Sequence, residues 1–393
     1  MKKASGRLLF LTAYFAYASI YIARLNLTVA SPIMQSQSIM SAAQIGAMGG
    51  IFFLFYSAGQ LLNGFLGDIF PPKSMVLTGL FLTGFSNLGI GLLPTASVII
   101  LLWGINGFAQ SMLWGPLLRA IAGHFSAGKK SFIASLLVSS VGAGSIIGVF
   151  LATAAIWFGN LSYSFIWPGA AVLIAFLTVL IFFPSSPAQT VCIQKKPMAS
   201  LFTPGLLLLL VSAMFHGVLK DNINLWVASY FMDTYSIDLL TMSFFVFAVP
   251  LLTLLGRLLY PAVYRLLGKN EHRVSVFALT LAAASLVPLC LERIPLVLSA
   301  ICLSAAAAAV SLVNTSFLTI FPMRYQNEGC VSKVVGLMDF ATYLGAGLSS
   351  SFYGVWLESH TYTGMFISWI VLCVAAIILL IIVQKRRLIW TKK

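Results

Sequence analysis

The sequence predicts an all-α integral membrane protein: twelve transmembrane helices in two pseudo-symmetric six-helix halves. Three observations predict it. First, the 393 residues are 60% hydrophobic and only 8% charged, with a mean hydropathy of +0.99, whereas soluble domains carry roughly 25% charged residues. Second, apolar runs of the ~20 residues needed to cross a bilayer recur along the whole chain, joined by short polar links. Third, basic residues crowd into every second link. No stretch has the alternating pattern of a membrane β-barrel strand.

In order, the spans fall at about 8–30, 43–66, 74–93, 97–123, 130–155, 162–184, 203–231, 238–267, 273–292, 295–322, 331–354 and 362–384. The opening MKKASGR leads into an apolar run too long for the core of a cleaved signal, so the first span is read as retained. The longest polar link, PSSPAQTVCIQKKPMAS from Pro184 to Ser200, divides the chain into an N-terminal half (1–184), a cytoplasmic linker (185–200) and a C-terminal half (201–393).

The charges test the count. Lys and Arg outnumber Asp and Glu by 23 to 9, a net +14. Basic residues precede span one (Lys2, Lys3, Arg7), follow span twelve (Lys385, Arg386, Arg387) and occupy every even link, including Lys129 and Lys195. The opposite links hold Asp233, Asp238, Glu292 and Glu358 against one basic residue, Arg293. A wrong count would break this alternation. It predicts both termini on the cytoplasmic side of a cytoplasmic membrane, and it explains the basic balance without a nucleic-acid surface. The five cysteines are scattered, with no CxxC and no Cys/His cluster, so no metal site, cofactor or disulfide framework is implied. The absence of HExxH and GxSxG argues against an intramembrane enzyme.

Six charges remain inside spans: Arg24, Arg119, Lys220, Asp221, Arg257 and Asp339. An ionised side chain at bilayer depth costs at least a few kcal/mol, and buried charges need partners. Four cations against two anions leave a positive surplus that suits a small anionic substrate. Helical spacing sorts their neighbours. In span one, Tyr14, Tyr17, Tyr21, Arg24 and Thr28 form a polar stripe that should face a wet cavity. In span seven, His216, Lys220 and Asn224 share a face, with Asp221 about 100° away and turned toward Asn224 rather than the tip of Lys220. Asp339 and Tyr343 are four apart in span eleven, and Asn106, Gln110 and Trp114 form a row in span four. Spans one and seven open the two halves, and each carries a cation followed two residues later by Asn: Arg24–Asn26 and Lys220–Asn222.

Arg24 and Lys220 are therefore expected to clamp the anion, with Tyr17, Tyr21, Trp114, Asn222 and Tyr343 shaping the cavity. Asp221 either neutralises a cation on a neighbouring helix or carries a proton. His216 is either a core histidine or, beside Lys220, a second proton carrier, and Asp339 is a third. Arg257, near the end of its span, reads as a snorkelling or bracing residue, Arg119 as a brace or a site residue, and Asp68 as a gating-loop brace. Gly142, Gly144 and Gly148 read as close helix packing.

Twelve spans, two halves, a long central link and GFLGD between spans two and three resemble the major facilitator superfamily. Within it, YIARLNLTVASP is similar to the first-helix signature of the organophosphate:phosphate antiporters and of the neighbouring anion:cation symporters. FAQSMLWGPLLR, VLKDNINLWVASYF and ATYLGAG resemble fourth-, seventh- and eleventh-helix segments of the antiporters. The resemblance implies a rocker-switch exchanger of phosphorylated metabolites, in which two arginines bind phosphate. Arg24 matches the first; Lys220 stands in place of the second. Ser139 and Gln60 stand where the family has His and Lys, and Asp221 and Asp339 add carboxylates. A guanidinium grips phosphate with a bidentate fork and an ammonium as a point charge. These departures keep a second expectation open, proton-coupled symport of a carboxylate such as a sugar acid. A transporter-like sensor is a third, and drug export is a weaker alternative. A monomer with phosphate or protons as coupling ion is expected.

Overall fold

The computed structural model describes residues 6–93, 95–125, 127–184, 202–291, 294–325 and 331–390. The linker 185–200 lies outside them, as does the side chain of Asp68. Among the described residues there are thirteen α-helices and no strand: α1 (Gly6–Ser36), α2 (Ala42–Ile69), α3 (Pro72–Leu92), α4 (Ala96–Gln110), α5 (Trp114–His124), α6 (Ala127–Phe158), α7 (Tyr163–Phe182), α8 (Pro204–Tyr235), α9 (Leu239–Leu266), α10 (Glu271–Leu286), α11 (Leu296–Thr315), α12 (Val331–Trp356) and α13 (Tyr362–Trp390). The fourth expected span is α4 and α5, separated by a turn. Eleven crossings are long and apolar enough to span a bilayer. The twelfth, α12, has the length, but Asp339, Thr342 and the run Ser349–Ser351 dilute its hydropathy.

Several helix starts are written in the sequence. Ser41 and Gln44 form a reciprocal capping box on α2. Thr203 caps α8 with Pro204 in its first turn, Asp238 caps α9, and Asn270 caps α10. Large apolar side chains such as Phe81, Phe85, Phe150, Ile181, Phe244 and Val371 point outward and stay exposed. On a protein in water such a belt would be a liability; here it faces lipid.

Helices α1 to α7 pack largely on one another, as do α8 to α13. Contacts between the two groups run through α2 with α12, α6 with α9 and α1 with α8. Tight backbone approach makes the α2–α12 seam. A Cβ on Gly46 would fall 2.6 Å from the Gly354 Cα, closer than real Cβ atoms come, so both positions must be glycine for the helices to meet. Gly144 and Gly148 likewise seat α6 against the backbone of α1 at Ala18 and Ile22, while Gly142 faces Leu254 of α9.

Candidate functional site: a charged cavity where the helix groups meet

The site begins with a break in α1. Ala23 has φ −86° and ψ 16°, outside the helical values near −63° and −42°. Side chains inserting into a helix ladder cause such kinks, and three amides do so here. Asn87 and Asn106 donate to the Ala23 carbonyl at 3.3 and 3.2 Å, and Gln110 donates to the Ile20 carbonyl at 3.2 Å. Asn26 donates to Asn87 and to the Ser164 carbonyl at 3.1 and 3.0 Å. Lipid offers no replacement hydrogen bonds, so these amides are what makes the break tolerable. Asn106 and Gln110, which share a helical row with Trp114, brace the backbone. The residue that follows the break is Arg24.

Arg24 projects into a cage of aromatic rings. Its guanidinium carbon lies 4.9 Å from the centre of Phe52, 5.4 Å from Phe53 and Tyr56, 5.5 Å from Tyr343 and 5.6 Å from Tyr21. Lys220 Nζ sits 4.2 Å from the Tyr343 ring, which the two cations share. Each contact of this kind contributes ~0.5–2 kcal/mol, and together they offset part of the burial cost of the two charges. Phe52, Phe53 and Tyr56, which complete the cage from α2, were not among the expected residues.

Asp221 completes the centre. One carboxylate oxygen lies 3.4 Å from an Arg24 Nη and the other 3.3 Å from Lys220 Nζ, with all three side chains largely buried. The expectation that Asp221 turns away from the tip of Lys220 is wrong: the long, flexible Lys220 side chain brings its ammonium to the carboxylate, which bridges both cations. The separations exceed the ~2.7–2.9 Å of a tight charged hydrogen bond. One anion loosely held by two cations is an arrangement that a stronger anion can displace.

Around this centre lies a cavity of about 590 Å³, within the ~300–1,000 Å³ typical of small-molecule sites. Its wall includes Tyr17, Tyr21, Arg24, Trp114, Lys220, Asp221, Asp339 and Tyr343, as expected, together with Thr28, Asn224, Ser139 and Asn314. Asn222, expected to shape the cavity, fails geometrically, and His216 takes the core position that was one of its two readings. Asn222 is fully buried away from the cavity. It donates to Ser349 at 2.7 Å and to the Val218 carbonyl, and it accepts from Trp226 and Ser350, which locks α8 to α12. His216 does not line the cavity; it lies one turn below Lys220, 3.3 Å from Asn314 Oδ1 and edge-on to Phe317. Arg257, expected to snorkel or brace loops, lines the wall instead. Arg119 is a brace: it donates to the Phe70 carbonyl at the end of α2.

The cavity wall occupies the midplane and the halves of α6, α9, α11 and α12 nearest the face from which α1 starts, the proximal face. At the opposite, distal face the groups are closed. There Gly46 meets Gly354, Thr153 donates to or accepts from Ser243 at 2.8 Å, and the Ala43 amide donates to Glu358 at 3.2 Å. Hydrogen bonds from Ser41 and the Ala43 backbone hold the Glu358 carboxyl below the usual carboxylate range.

Comparison with known proteins places this geometry. The chain is 31% identical to a probable hexose phosphate transport protein of Chlamydia muridarum over 118 residues, 30% of this chain and 26% of that one. It is 28% identical to a phosphoglycerate transporter protein of Salmonella typhimurium, over 46% of this chain and 40% of that one, and 28% identical to a glycerol-3-phosphate transporter of Bacillus subtilis, over 44% and 40%. The matching stretches therefore span less than half of each relative. Among solved structures, the nucleoside transporter NupG superposes with a TM-score of 0.74 at 16% identity, over 96% of this chain and 99% of that one. A bacterial homolog of the human lysosomal transporter Spinster gives 0.76 at 14% identity, over 98% and 96%. The Major Facilitator Superfamily model matches residues 13–331. With twelve crossings folded around a central cavity and a family match over most of its length, the chain belongs to the Major Facilitator Superfamily.

Proposed function

We propose that the protein is a secondary transporter that moves a small organic anion across the cytoplasmic membrane by alternating access. The favoured substrate is a phosphorylated metabolite exchanged for inorganic phosphate. One observation carries the reading: Arg24 and Lys220, from the first helix of each group, converge on a single carboxylate beside the cavity. A phosphate that displaced Asp221 would find two cations already aimed at one point, at little reorganisation cost. The three relatives named above, transporters of hexose phosphate, phosphoglycerate and glycerol 3-phosphate, support the same class. Tyr17, Tyr21, Trp114 and Tyr343 would shape the cavity.

The halves 1–184 and 201–393 would rock as units about this centre, joined by the linker 185–200, with Asp68 and Arg119 bracing the proximal loops. The anion would shield Arg24 from Lys220, lowering the barrier to closure around it. The alternation of basic loops supports cytoplasmic termini, so the proximal face would be cytoplasmic and the conformation inward-facing. A monomer suffices, because both cations belong to one chain.

Asp339 favours a second reading, proton-coupled symport of a carboxylate. It lines the cavity yet has no ion pair among the described residues, and a buried carboxylate without a cationic partner can take up a proton. Uptake of labelled phosphate into phosphate-loaded proteoliposomes, with and without a protonophore, separates the two. Saturable uptake indifferent to the protonophore is the expected result. Uptake of an organic acid that collapses with the protonophore, without phosphate exchange, would replace exchange by symport.

A further inference from the structure

Arg257 is the cation on the cavity wall that the central ion cluster leaves out. It sits on a stripe of α9, with Pro250, Thr253, Leu254, Leu258 and Pro261, that faces the cavity at helical spacing. It has no hydrogen-bond or ion-pair partner among the described residues, and its Nε is buried. A guanidinium inside a membrane span without a partner is expensive. The two carboxylates do not relieve it: Asp221 is held between Arg24 and Lys220, and no ion pair joins Asp339 to Arg257.

Depth separates Arg257 from the centre. Lys220 is sixteen residues from the start of α8 at the proximal face, and Arg257 is nine from the end of α9 at that face. At 1.5 Å per residue the difference is ~10 Å counted from the proximal ends and ~5 Å counted from the distal ends, Tyr235 and Leu239. The same cavity wall carries hydroxyls at Thr315, the last residue of α11, at Thr319 just beyond it, and at Ser139 and Ser145 of α6. Thr319 belongs to a π-helical turn, Ser316–Ile320, a rare element that is frequent at functional sites.

We propose that Arg257 binds a second anionic group of the substrate, so that the transported molecule is charged at both ends: a short phosphate ester with its own carboxylate or second phosphate. Arg24 and Lys220 hold one end, and Arg257 and its threonines hold the other. An offset of ~5–10 Å, bridged by two long side chains, suits a molecule of a few carbons. The phosphate identity of the first group rests on the proposed function; the second anionic group does not.

The test measures ligand-induced thermal stabilisation of purified full-length protein. One pair of probes is glycerol phosphate and phosphoglycerate, which share a carbon skeleton and differ by one carboxylate. The other pair is a short monocarboxylate and the matching dicarboxylate. The wild type is expected to bind phosphoglycerate at least ~10-fold more tightly than glycerol phosphate, the lower end of what a charged hydrogen bond contributes. Arg257→Gln should erase that ratio and Arg257→Lys should keep part of it, which also serves if the glutamine variant folds poorly. No preference in the wild type, survival of the preference in Arg257→Gln, or equal weakening of both esters would overturn the proposal. If neither ester binds but the dicarboxylate is preferred and Arg257→Gln removes that preference, the phosphate reading falls and the second-anion inference stands. If no probe of either pair binds the wild type, both fall.

Discussion

Asp221→Asn should make the protein bind anions more tightly and release them more slowly. Under the proposed function, Asp221 in the present conformation occupies the position a substrate would take. Each of its two ion pairs, at 3.4 and 3.3 Å, carries a gross attraction of about 5 kcal/mol at an effective dielectric of 20. A phosphate taking over the two cations would sit ~5 Å from the displaced carboxylate and feel about 3 kcal/mol of repulsion on the same scale. Even if relaxation removes half of this, about 1.4 kcal/mol remains, a tenfold change in affinity. The expectation is a Kd for phosphate lower by ~10- to 100-fold, measured by calorimetry on purified protein, with a reduced maximal exchange rate in vesicles. The unliganded variant should also melt lower, since removing one partner of a buried ion pair costs about 3–5 kcal/mol, and phosphate should restore most of the loss. Equal or weaker phosphate binding in Asp221→Asn would refute the reasoning, because it would make Asp221 a contributor to the anion site rather than its occupant.

Asn106→Leu leaves the Ala23 carbonyl with one donor fewer and should cost ~1–3 kcal/mol of stability. Because the amide positions Arg24 through the kink, phosphate affinity should fall along with it; a variant that loses stability but keeps its affinity would make the network purely structural. Gly354→Leu should prevent closure of the distal face, so cross-linking of cysteines introduced there should fall while access to the cavity from that side rises. Glu358 should contribute to that closure over most of the pH range. Its carboxyl is depressed by Ser41 and the Ala43 amide, so its contribution is fully present above the ordinary carboxylate pKa of ~4.3 and is lost only as the pH falls below it. Distal cross-linking in the wild type should accordingly stay constant from neutral pH down to about 5; a decline already between pH 7 and 6 would point to another group.

Much of this architecture is legible in the sequence, because lipid demands it. Backbone polar groups must be satisfied within each span, so apolar length reports helices directly, and the basic loops report their alternation. Arg24, Lys220 and Tyr343 could be assigned to one site because a charge in an apolar helix has few other uses. Asn222 could not be placed by the local echo of RLN in KDN. Two residues along a helix is a rotation of about 200°, which turns Asn222 away from the face of Lys220, while Asn224, four residues on, shares it. Phe52, Phe53 and Tyr56 give no signal, since aromatic rings in an apolar span look like packing until a cation is found among them. The place of Arg257 on the cavity wall was not legible, because position along a span shows proximity to the membrane surface but not which face the helix presents. Asp221 was misread because helical angle fixes where a side chain starts and not where a flexible Lys stem ends. The kink at Ala23 has no Gly or Pro at its site; its cause lies in amides contributed by other helices, which only the packing reveals.

The measurement that bears most directly on the central claim is phosphate exchange by Arg24→Ala beside the wild type, in proteoliposomes prepared from protein whose melting is checked first. The account predicts saturable phosphate exchange in the wild type. In the variant it predicts loss of exchange and of phosphate-induced stabilisation, with a cooperative melt retained. Exchange that persists in a folded Arg24→Ala protein would contradict it and move the anion site away from the centre where Arg24, Lys220 and Asp221 meet.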